Sequence, residues 1–458
     1  MIQLKNVNFT YQGAETGGLH GLDLTVPDGQ VLVLCGESGC GKTTLTRLLN
    51  GLIPHVFPGE LTGSVTVDGR DVSHQPLYDT ARLVGSVFQN PRSQFFNVDT
   101  TSEITFGCEN LGLPKDEILR RLDAAVPALG LRKLLGRGIF QLSGGEKQKI
   151  ACAGAFLMEP PVFVLDEPSA NLDADAVLEL RGVYLRDGRI QGDYSGAEFD
   201  AIPAEERRAM GLRAGSLADL TLREEPDIRR GTAQLRDFRF AYKNAPETLR
   251  IDEAAIPYGG IVGILGHNGA GKSTFSRCFC GLEKRRGTVT VDGTALRPKD
   301  RLDRCYMVMQ DVGHQLFTES VLDEVLLSMP EEDETQAKAI LDRLDLTPYL
   351  DRHPASLSGG QKQRLAVASA LAAERSVVFL DEPTSGLDDR HMRETAQLLR
   401  ELRRSGKTVY VITHDPELIT ECCTDILRLE AGEIADSYPL DEAGLAKVRA
   451  FFRVEETD

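Results

Sequence analysis

Two segments of this chain have the composition and spacing to hold a chain of phosphates. Gly36-Glu-Ser-Gly39-Cys-Gly41-Lys42-Thr43 and Gly266-His-Asn-Gly269-Ala-Gly271-Lys272-Ser273 both follow the pattern G-x-x-x-x-G-K-[ST]. The glycines let the backbone curl until several N–H groups point at one anion, and a helix starting at the lysine adds the positive end of its dipole. Lys42 and Lys272 should reach the β- and γ-phosphates of a bound nucleotide. The hydroxyls of Thr43 and Ser273 suit Mg²⁺, and Thr44 and Thr274 complete the phosphate-binding set. Asp166 and Asp381 each follow an apolar run, Val162–Leu165 and Val377–Leu380. A carboxylate at the end of a buried parallel strand sits at the ligand-binding edge of its sheet, where it can hold the metal through water. The next residue, Glu167 or Glu382, points to the other side of the strand end and can orient or deprotonate an attacking water. The chemistry expected is hydrolysis of ATP with Mg²⁺ at two sites.

The elements that position these groups recur in the same order. Lys42 and Lys272 lie 230 positions apart. A Leu-Ser-Gly-Gly motif stands at 142 and at 357, and Gly144 to Asp173 and Gly359 to Asp388 both span 29 positions. Equal spacing at that distance argues for a duplicated fold. Alternating segments, Leu4–Tyr11 and Leu235–Tyr242, read as strands; Val31–Leu34 and Ile261–Leu265 read as strands running into the glycine loops. Val65-Thr-Val-Asp68-Gly69 and Val289-Thr-Val-Asp292-Gly293 read as hairpins closed by Asp-Gly turns. Thr100 to Arg137 and Glu319 to His353 read as helical subdomains. Residues 192–231 match nothing in the other copy and read as a charged linker, in which Ala204–Met210 forms a short solvated helix.

Composition narrows the setting. The 458 residues carry a net charge of −17, which weighs against a general nucleic-acid binder. No apolar run approaches the length needed to span a bilayer, and strand-like sequence from Ile2 leaves no visible signal peptide. The nine cysteines form no CxxC pair and read as reduced thiols.

The combination resembles the nucleotide-binding domains of ABC transporters over nearly the whole chain. The fold implied is α/β: two tandem P-loop NTPase domains, each with a mainly parallel sheet core, an antiparallel β-subdomain and a helical subdomain. The boundaries read as 1–191 and 232–458, with 192–231 between them. In that family the domains pair head to tail. The resemblance therefore assigns Ser143 and Gly145 to the ATP on Lys272, and Ser358 and Gly360 to the ATP on Lys42; a glycine-rich helix N-terminus is a suitable anion site. It makes Gln89 and Gln310 the glutamines that sense Mg²⁺ and face the membrane partner, with Asp166 and Asp381 as further metal-site residues. It places Asp173 and Asp388 in the D-loops. Tyr11 and Tyr242 stand where an aromatic stacks on adenine, and packing within the sheet explains them equally well.

One part occurs only once. After Asp388 the second copy runs to Lys407-Thr-Val-Tyr-Val-Ile-Thr-His414-Asp415, and His414 resembles the family's switch histidine, which contacts the γ-phosphate. Asp388 to Gly432 spans 44 positions, whereas Asp173 to Gly188 spans 15, with no histidine between them. The first copy thus lacks a strand–helix segment. Either this is a damaged or truncated copy, or its site is degenerate. In the family the lost strand lies between the P-loop strand and the acidic strand, so its loss should leave a hole in a parallel sheet. The second reading predicts that the site on Lys42, Glu167 and Ser358 binds ATP and hydrolyses it poorly. The site on Lys272, Glu382, His414 and Ser143 then carries most turnover.

Phe88-Gln-Asn-Pro-Arg-Ser-Gln94-Phe-Phe96, Phe106-Gly-Cys-Glu-Asn-Leu-Gly-Leu-Pro114 and Pro203–Leu212 resemble the ATPases of energy-coupling factor transporters. That resemblance implies uptake of a vitamin or a transition-metal ion, with a membrane coupling protein and a small substrate-capture protein as partners. It places one copy of the chain, its domains paired, on the cytoplasmic face of the cell membrane and away from nucleic acid. In the second copy Gln310-Asp-Val-Gly-His-Gln315 lacks Asn-Pro and keeps the glutamine pair. The other class is a soluble tandem ABC ATPase acting on ribosomes or DNA, whose relatives carry a longer basic linker or inserted zinc modules.

Overall fold

Alternation of apolar and polar residues builds an antiparallel sheet in each half of the chain. The order is Leu19–Val26, Ile2–Tyr11, Gly59–Val67, Arg70–Asp71 in the first and Glu247–Tyr258, Gly231–Ala241, Arg286–Val291, Thr294–Leu296 in the second. The computed structural model describes all residues except 14–16, 89–92, 143, 167–179, 214–216, 224–230, 244–245, 268, 284–285, 292, 310–311, 385–386 and 456–458. Two units emerge, Met1–Leu212 and Arg213–Asp458. Asp68 and Gly69 take φ of 51° and 74°, the left-handed pair that a tight hairpin turn requires.

The second unit holds a six-stranded sheet, ordered Cys305–Val308, Val377–Asp381, Thr408–Ile412, Ile261–Leu265, Asp425–Glu430, Glu433–Pro439. The first five strands run parallel and the last turns back antiparallel. The three strands from Val377 to Leu265 in that order are buried at every residue. Their continuous apolar runs are what a parallel strand covered on both faces needs. Phe379 and Tyr410 stack there with centroids 4.6 Å apart.

In the first unit the corresponding sheet is in two pieces. Val31–Cys35 pairs with Leu180–Arg186, which turns into Arg189–Ser195. Val84–Val87 pairs with Val162–Leu165. Among the described residues no strand bridges Val31–Cys35 to Val162–Leu165, as the short spacing anticipates. Val31, Phe163 and Leu165 are 55%, 46% and 45% exposed, whereas their counterparts Ile261, Val378 and Leu380 in the second unit are wholly buried.

Each unit also carries a helical subdomain. Thr100–Asn110, Lys115–Ala128 and Gly144–Leu157 share a core around Ile104, Leu122, Ile150 and Leu157. Val321–Ser328, Glu334–Asp342 and Gly359–Ala372 are their counterparts.

Residues 192–231 differ from a free linker. Gly196–Asp200 and Ala204–Ala209 bury Ile202 and Met210 against Tyr184, so Gly192–Leu212 belong to the first unit. The helix from Ala204 is solvated on one face only: Arg207 is buried, its Nη2 donating to Phe199 O at 3.2 Å. The helix Glu442–Glu455 follows the equivalent hairpin of the second unit and buries Val448 and Phe452 against Leu265 and Ile426. The two elements differ in sequence, which hid their shared position.

Candidate active sites

The glycine loops are built as their sequences require. In the second unit Ile261–Leu265 ends at Gly266, and Gly271 caps the helix Lys272–Cys280 with φ of 95°. A Cβ at Gly266 would lie 2.3 Å from Leu429 O, and one at Gly36 would lie 2.2 Å from Leu185 O. Only glycine lets the loop pass the neighbouring strand so closely. Lys42 Nζ donates to Gly36 O at 2.7 Å and to Glu37 O at 2.9 Å. Lys272 Nζ donates to Gly266 O and to His267 O, and lies 3.1 Å from His414 Nε2. Each lysine is folded back over its own loop, where phosphate oxygens would replace the carbonyls.

The acidic strand meets the loop from the side. Ser273 Oγ donates to Asp381 Oδ2 at 2.9 Å, and burial raises the Asp381 pKa against the pull of that bond and of Lys272. Asp166 is raised by burial too, opposed by Arg47, by Lys42 and by a hydrogen bond from Thr43. A hydroxyl and a carboxylate converging beside the P-loop lysine form a hard-oxygen pair of the kind Mg²⁺ takes, with room for water ligands. Thr43 with Asp166 and Ser273 with Asp381 therefore fit the metal.

The next carboxylate is described in the second unit alone. Glu382 adopts φ of 52°, a strained value for a residue with a side chain. It is held there by its N–H, which donates to Ile412 O at 2.8 Å. Its Oε2 accepts from His414 N at 3.3 Å, and its Oε1 lies 3.7 Å from His414 Nε2. Burial pushes the Glu382 carboxyl up to about 7; Asp381 adds to the rise, while His414 and Lys272 oppose it. Glu382, His414, Lys272 and Asp381 thus form one cluster. Glu167, Asp173, Gln89, Gln310 and Ser143 lie outside the described residues.

The signature helix Gly359–Ala372 is capped by Ser358. Its hydroxyl accepts from Gln361 N at 3.4 Å while Ser358 N donates to Gln361 Oε1 at 2.9 Å. Gly360 stands one turn in, beside Leu387, and Gly145 has open space where a Cβ would stand. In the first unit Glu146 replaces that glutamine, and Arg137 Nη1 donates to it at 3.0 Å. Tyr11 lies beside the P-loop helix with its hydroxyl 3.1 Å from Thr44 Oγ1, and Tyr242 repeats the contact with Thr274 at 3.2 Å. Each ring also meets a strand neighbour edge-on, Phe9 or Phe240, at 4.8 Å.

The profile of the ABC transporter family matches this chain twice, over residues 19–170 and 249–385. The chain belongs to that family. Its motors hydrolyse ATP with Mg²⁺, and the two matches carry one glycine loop each. A protein of Treponema denticola, provisionally named as an ABC transporter ATP-binding protein, is 41% identical over 95% of this chain and 96% of its own length. One of the same name from Methanosarcina mazei is 32% identical over 97% of this chain and 90% of its own. An archaeal ribosome recycling factor, solved with a ribosomal stalk protein, covers 96% of this chain and 92% of its own at 21% identity and a TM-score of 0.61. That likeness shows the fold. A single-cassette structure, cbiO1 of Clostridium perfringens, described as part of an ABC transporter complex, matches 49% of this chain and 98% of its own at 27% identity and a TM-score of 0.43.

One pair of residues escaped the reading of motifs, and a second was read only as a shared glutamine. Gln94 Oε1 accepts from Phe88 N at 3.2 Å and its Nε2 donates to Ser86 O at 3.1 Å; Gln315 repeats this with Met309 N and Met307 O at 3.2 and 2.9 Å. Glu103 Oε2 accepts from the N–H of Phe96 and Asn97 at 3.0 and 2.7 Å; Glu324 repeats this with Phe317 and Thr318, both at 3.1 Å. The signal was available in the sequence, since Glu follows Gln by nine positions in both copies.

Proposed function

We propose that this chain is the ATP-hydrolysing motor of a membrane uptake transporter of the energy-coupling factor type, importing a vitamin or a transition-metal ion. The observation that carries this reading is a surface repeated in both units. The backbone bonds of Gln94 and Glu103, and of Gln315 and Glu324, pin the loop after each Mg²⁺-sensing glutamine, and each pinned loop holds an aromatic side chain outward. Phe96 is 77% and Phe317 72% exposed, and Val98, at 66%, adjoins Phe96 in sequence. Repeated exposed apolar groups on a charged surface mark a docking site. In the first unit they fall within the very stretch that resembles the energy-coupling factor ATPases. Among the described residues no helix is long and apolar enough to cross a membrane, so the membrane part of the reading is a separate coupling protein and a capture protein.

The chemistry follows from the second unit's cluster. Lys272 and the loop N–H groups hold the phosphates, and Glu382 takes the proton of the attacking water. A base near pH 7 is efficient because its deprotonated form is populated while it still accepts a proton readily. His414 orients against Glu382 and faces the γ-phosphate. Ser273 and Asp381 would hold Mg²⁺, which when bound would supply positive charge against the phosphates. The family resemblance assigns Ser143 and Gly145 to the ATP of this site, and Ser358 and Gly360 to the ATP on Lys42. At the Lys42 site no histidine follows the acidic strand, so that site holds ATP as part of the clamp and turns it over slowly. Closure and release of the pair pass to the coupling protein through the Phe96 and Phe317 surfaces.

The test is to tag the chain, extract membranes in mild detergent and identify what copurifies. A polytopic coupling protein with a small hydrophobic capture protein is expected, and their loss with a Phe96→Asp, Phe317→Asp double variant ties them to this surface. Ribosomal proteins, or no membrane partner, would overturn the reading in favour of the soluble tandem ATPase.

A further inference from the structure

We propose that Arg213 is a positioning residue for ATP turnover at the Lys272 site, acting through Asp415 on the turn that carries His414. Arg213 is the first residue of the second unit, and its guanidinium reaches that unit's switch region. Its Nη2 donates to Asp415 Oδ2, and its Nη1 lies 3.4 Å from Glu417 Oε2. Thr384, two residues after Glu382, donates through Oγ1 to the same Asp415 Oδ2 at 2.7 Å. The other oxygen of Asp415 caps the helix Pro416–Cys422, accepting from Glu417 N and Leu418 N, both at 3.1 Å. One carboxylate thus ties together the segment after the general base, the helix after the switch histidine, and Arg213.

Charge explains why a cation is needed there. The Asp415 and Glu417 side chains are only 12% and 11% exposed. Two poorly hydrated carboxylates two residues apart at a helix start repel each other, and removing one partner of such a buried arrangement leaves uncompensated charge. Arg213 sits against both. It bonds Asp415 through Nη2 and faces Glu417 across 3.4 Å as a charge, so one guanidinium offsets both carboxylates. His414 is bonded directly to Asp415 along the chain, so a shift of Asp415 displaces the imidazole from Lys272 and Glu382.

The segment after Arg213 is fastened to the same helix and its neighbour. Arg223 N donates to Thr420 O at 3.4 Å, and Arg223 Nη1 pairs with Glu421 Oε2 at 3.4 Å. Arg449 donates to Leu217 O, Ala218 O and Leu220 O at 3.1, 3.3 and 2.6 Å. The first copy, without the switch histidine and its helix, offers no equivalent target in its sequence.

This inference rests on the Lys272 site being the one that turns over. Steady-state ATP hydrolysis by the full chain tests it, with Lys272→Ala as the control for that premise. Arg213→Ala is expected to lower kcat about tenfold with KM for ATP within about twofold, the pattern of a lost supporting contact to a reacting group. Arg213→Lys, which keeps the charge and loses the fork, should recover most of the loss. Thr384→Val, which removes the second donor to Asp415, should lower kcat in the same way. Arg223→Ala removes a more exposed clasp of the same segment and should leave kcat unchanged. An unchanged kcat in Arg213→Ala would overturn the proposal, as would an equal fall in Arg223→Ala with a matching fall in Tm. If Lys272→Ala itself retains full turnover, the premise fails and not the contact.

Discussion

In the second unit Thr408–Ile412 lies between the P-loop strand and the acidic strand, buried at every residue and paired in parallel on both sides. In the first unit the strands that would flank it, Val31–Cys35 and Val162–Leu165, have no described partner on their facing edges, and each shows apolar side chains to solvent. The difference teaches that one strand serves three purposes. It closes the sheet. Its last residue accepts the N–H of Glu382 and so holds a strained backbone at the general base. It also delivers His414 to the same place. Losing the strand removes sheet continuity, the anchor of the glutamate and the histidine at a stroke, which is why a short copy should be impaired in chemistry as well as stability.

The sharpest way to break this comparison is at the general base. Glu382→Gln is expected to lower ATP turnover by about 10²–10⁴-fold, the usual contribution of a positioned base, whereas Glu167→Gln should change it by less than about threefold. Equal losses would make the two sites equivalent. The pH profile of the native chain carries the same information. Glu382 acts in its deprotonated form, and burial has raised its pKa to about 7. Turnover should therefore rise with pH through that value and level off above it. A profile flat from pH 6 to 8 would remove Glu382 from the role.

The next test exchanges the lysines. Lys272→Ala should reduce turnover by about 10²-fold, since it withdraws a cation from charge that develops on the phosphates. Lys42→Ala should weaken labelling of the chain by a photoreactive ATP analogue while retaining more of the hydrolysis. An equal loss of hydrolysis in the two variants would refute the asymmetry.

Much of this was legible in the sequence because the chemistry is local. A glycine loop needs its glycines and lysine within eight positions, and an acidic pair needs only the strand before it, so Lys42, Lys272, Asp166 and Asp381 stand where their motifs put them. The gap was legible as well, because the second copy supplied a ruler for the first. What could not be read were contacts made across distance by residues of ordinary type. Arg213 looks like one more charge in a mixed stretch until the fold brings it, over 202 positions, to Asp415. Gly192–Leu212 looked like linker because charge hides how few apolar residues suffice: Ile202 and Met210 are enough to fasten it to Tyr184. Glu103 and Glu324 were hidden for a different reason, since a carboxylate accepting backbone N–H groups stabilises a loop without leaving a motif.

The smallest effect expected is on stability, and it probes the hole itself. Phe379 is wholly buried on a strand flanked by Cys305–Val308 and Thr408–Ile412, and stacks on Tyr410 of the strand that the first copy lacks. Phe163, on the acidic strand of the first unit, is 46% exposed and stacks on Phe156 at 6.5 Å, whereas its own counterpart in the second unit, Val378, is wholly buried. Truncating a fully buried phenylalanine costs about 3–5 kcal/mol, because a cavity is added to the lost transfer energy. A half-exposed ring leaves no closed cavity, so Phe163→Ala should cost only about 1 kcal/mol. Hydrogen exchange read separately for each unit distinguishes the two, since one unfolding midpoint is ill defined for a chain of two units. Amides of Val31–Cys35 and Val162–Leu165 should exchange faster than those of Ile261–Leu265 and Val377–Asp381 in the native chain, because one edge of each lacks a ladder partner. Equal protection of the two sets, or an equal cost of the two substitutions, would mean that something covers the hole in solution, and the first unit would then be as closed as the second.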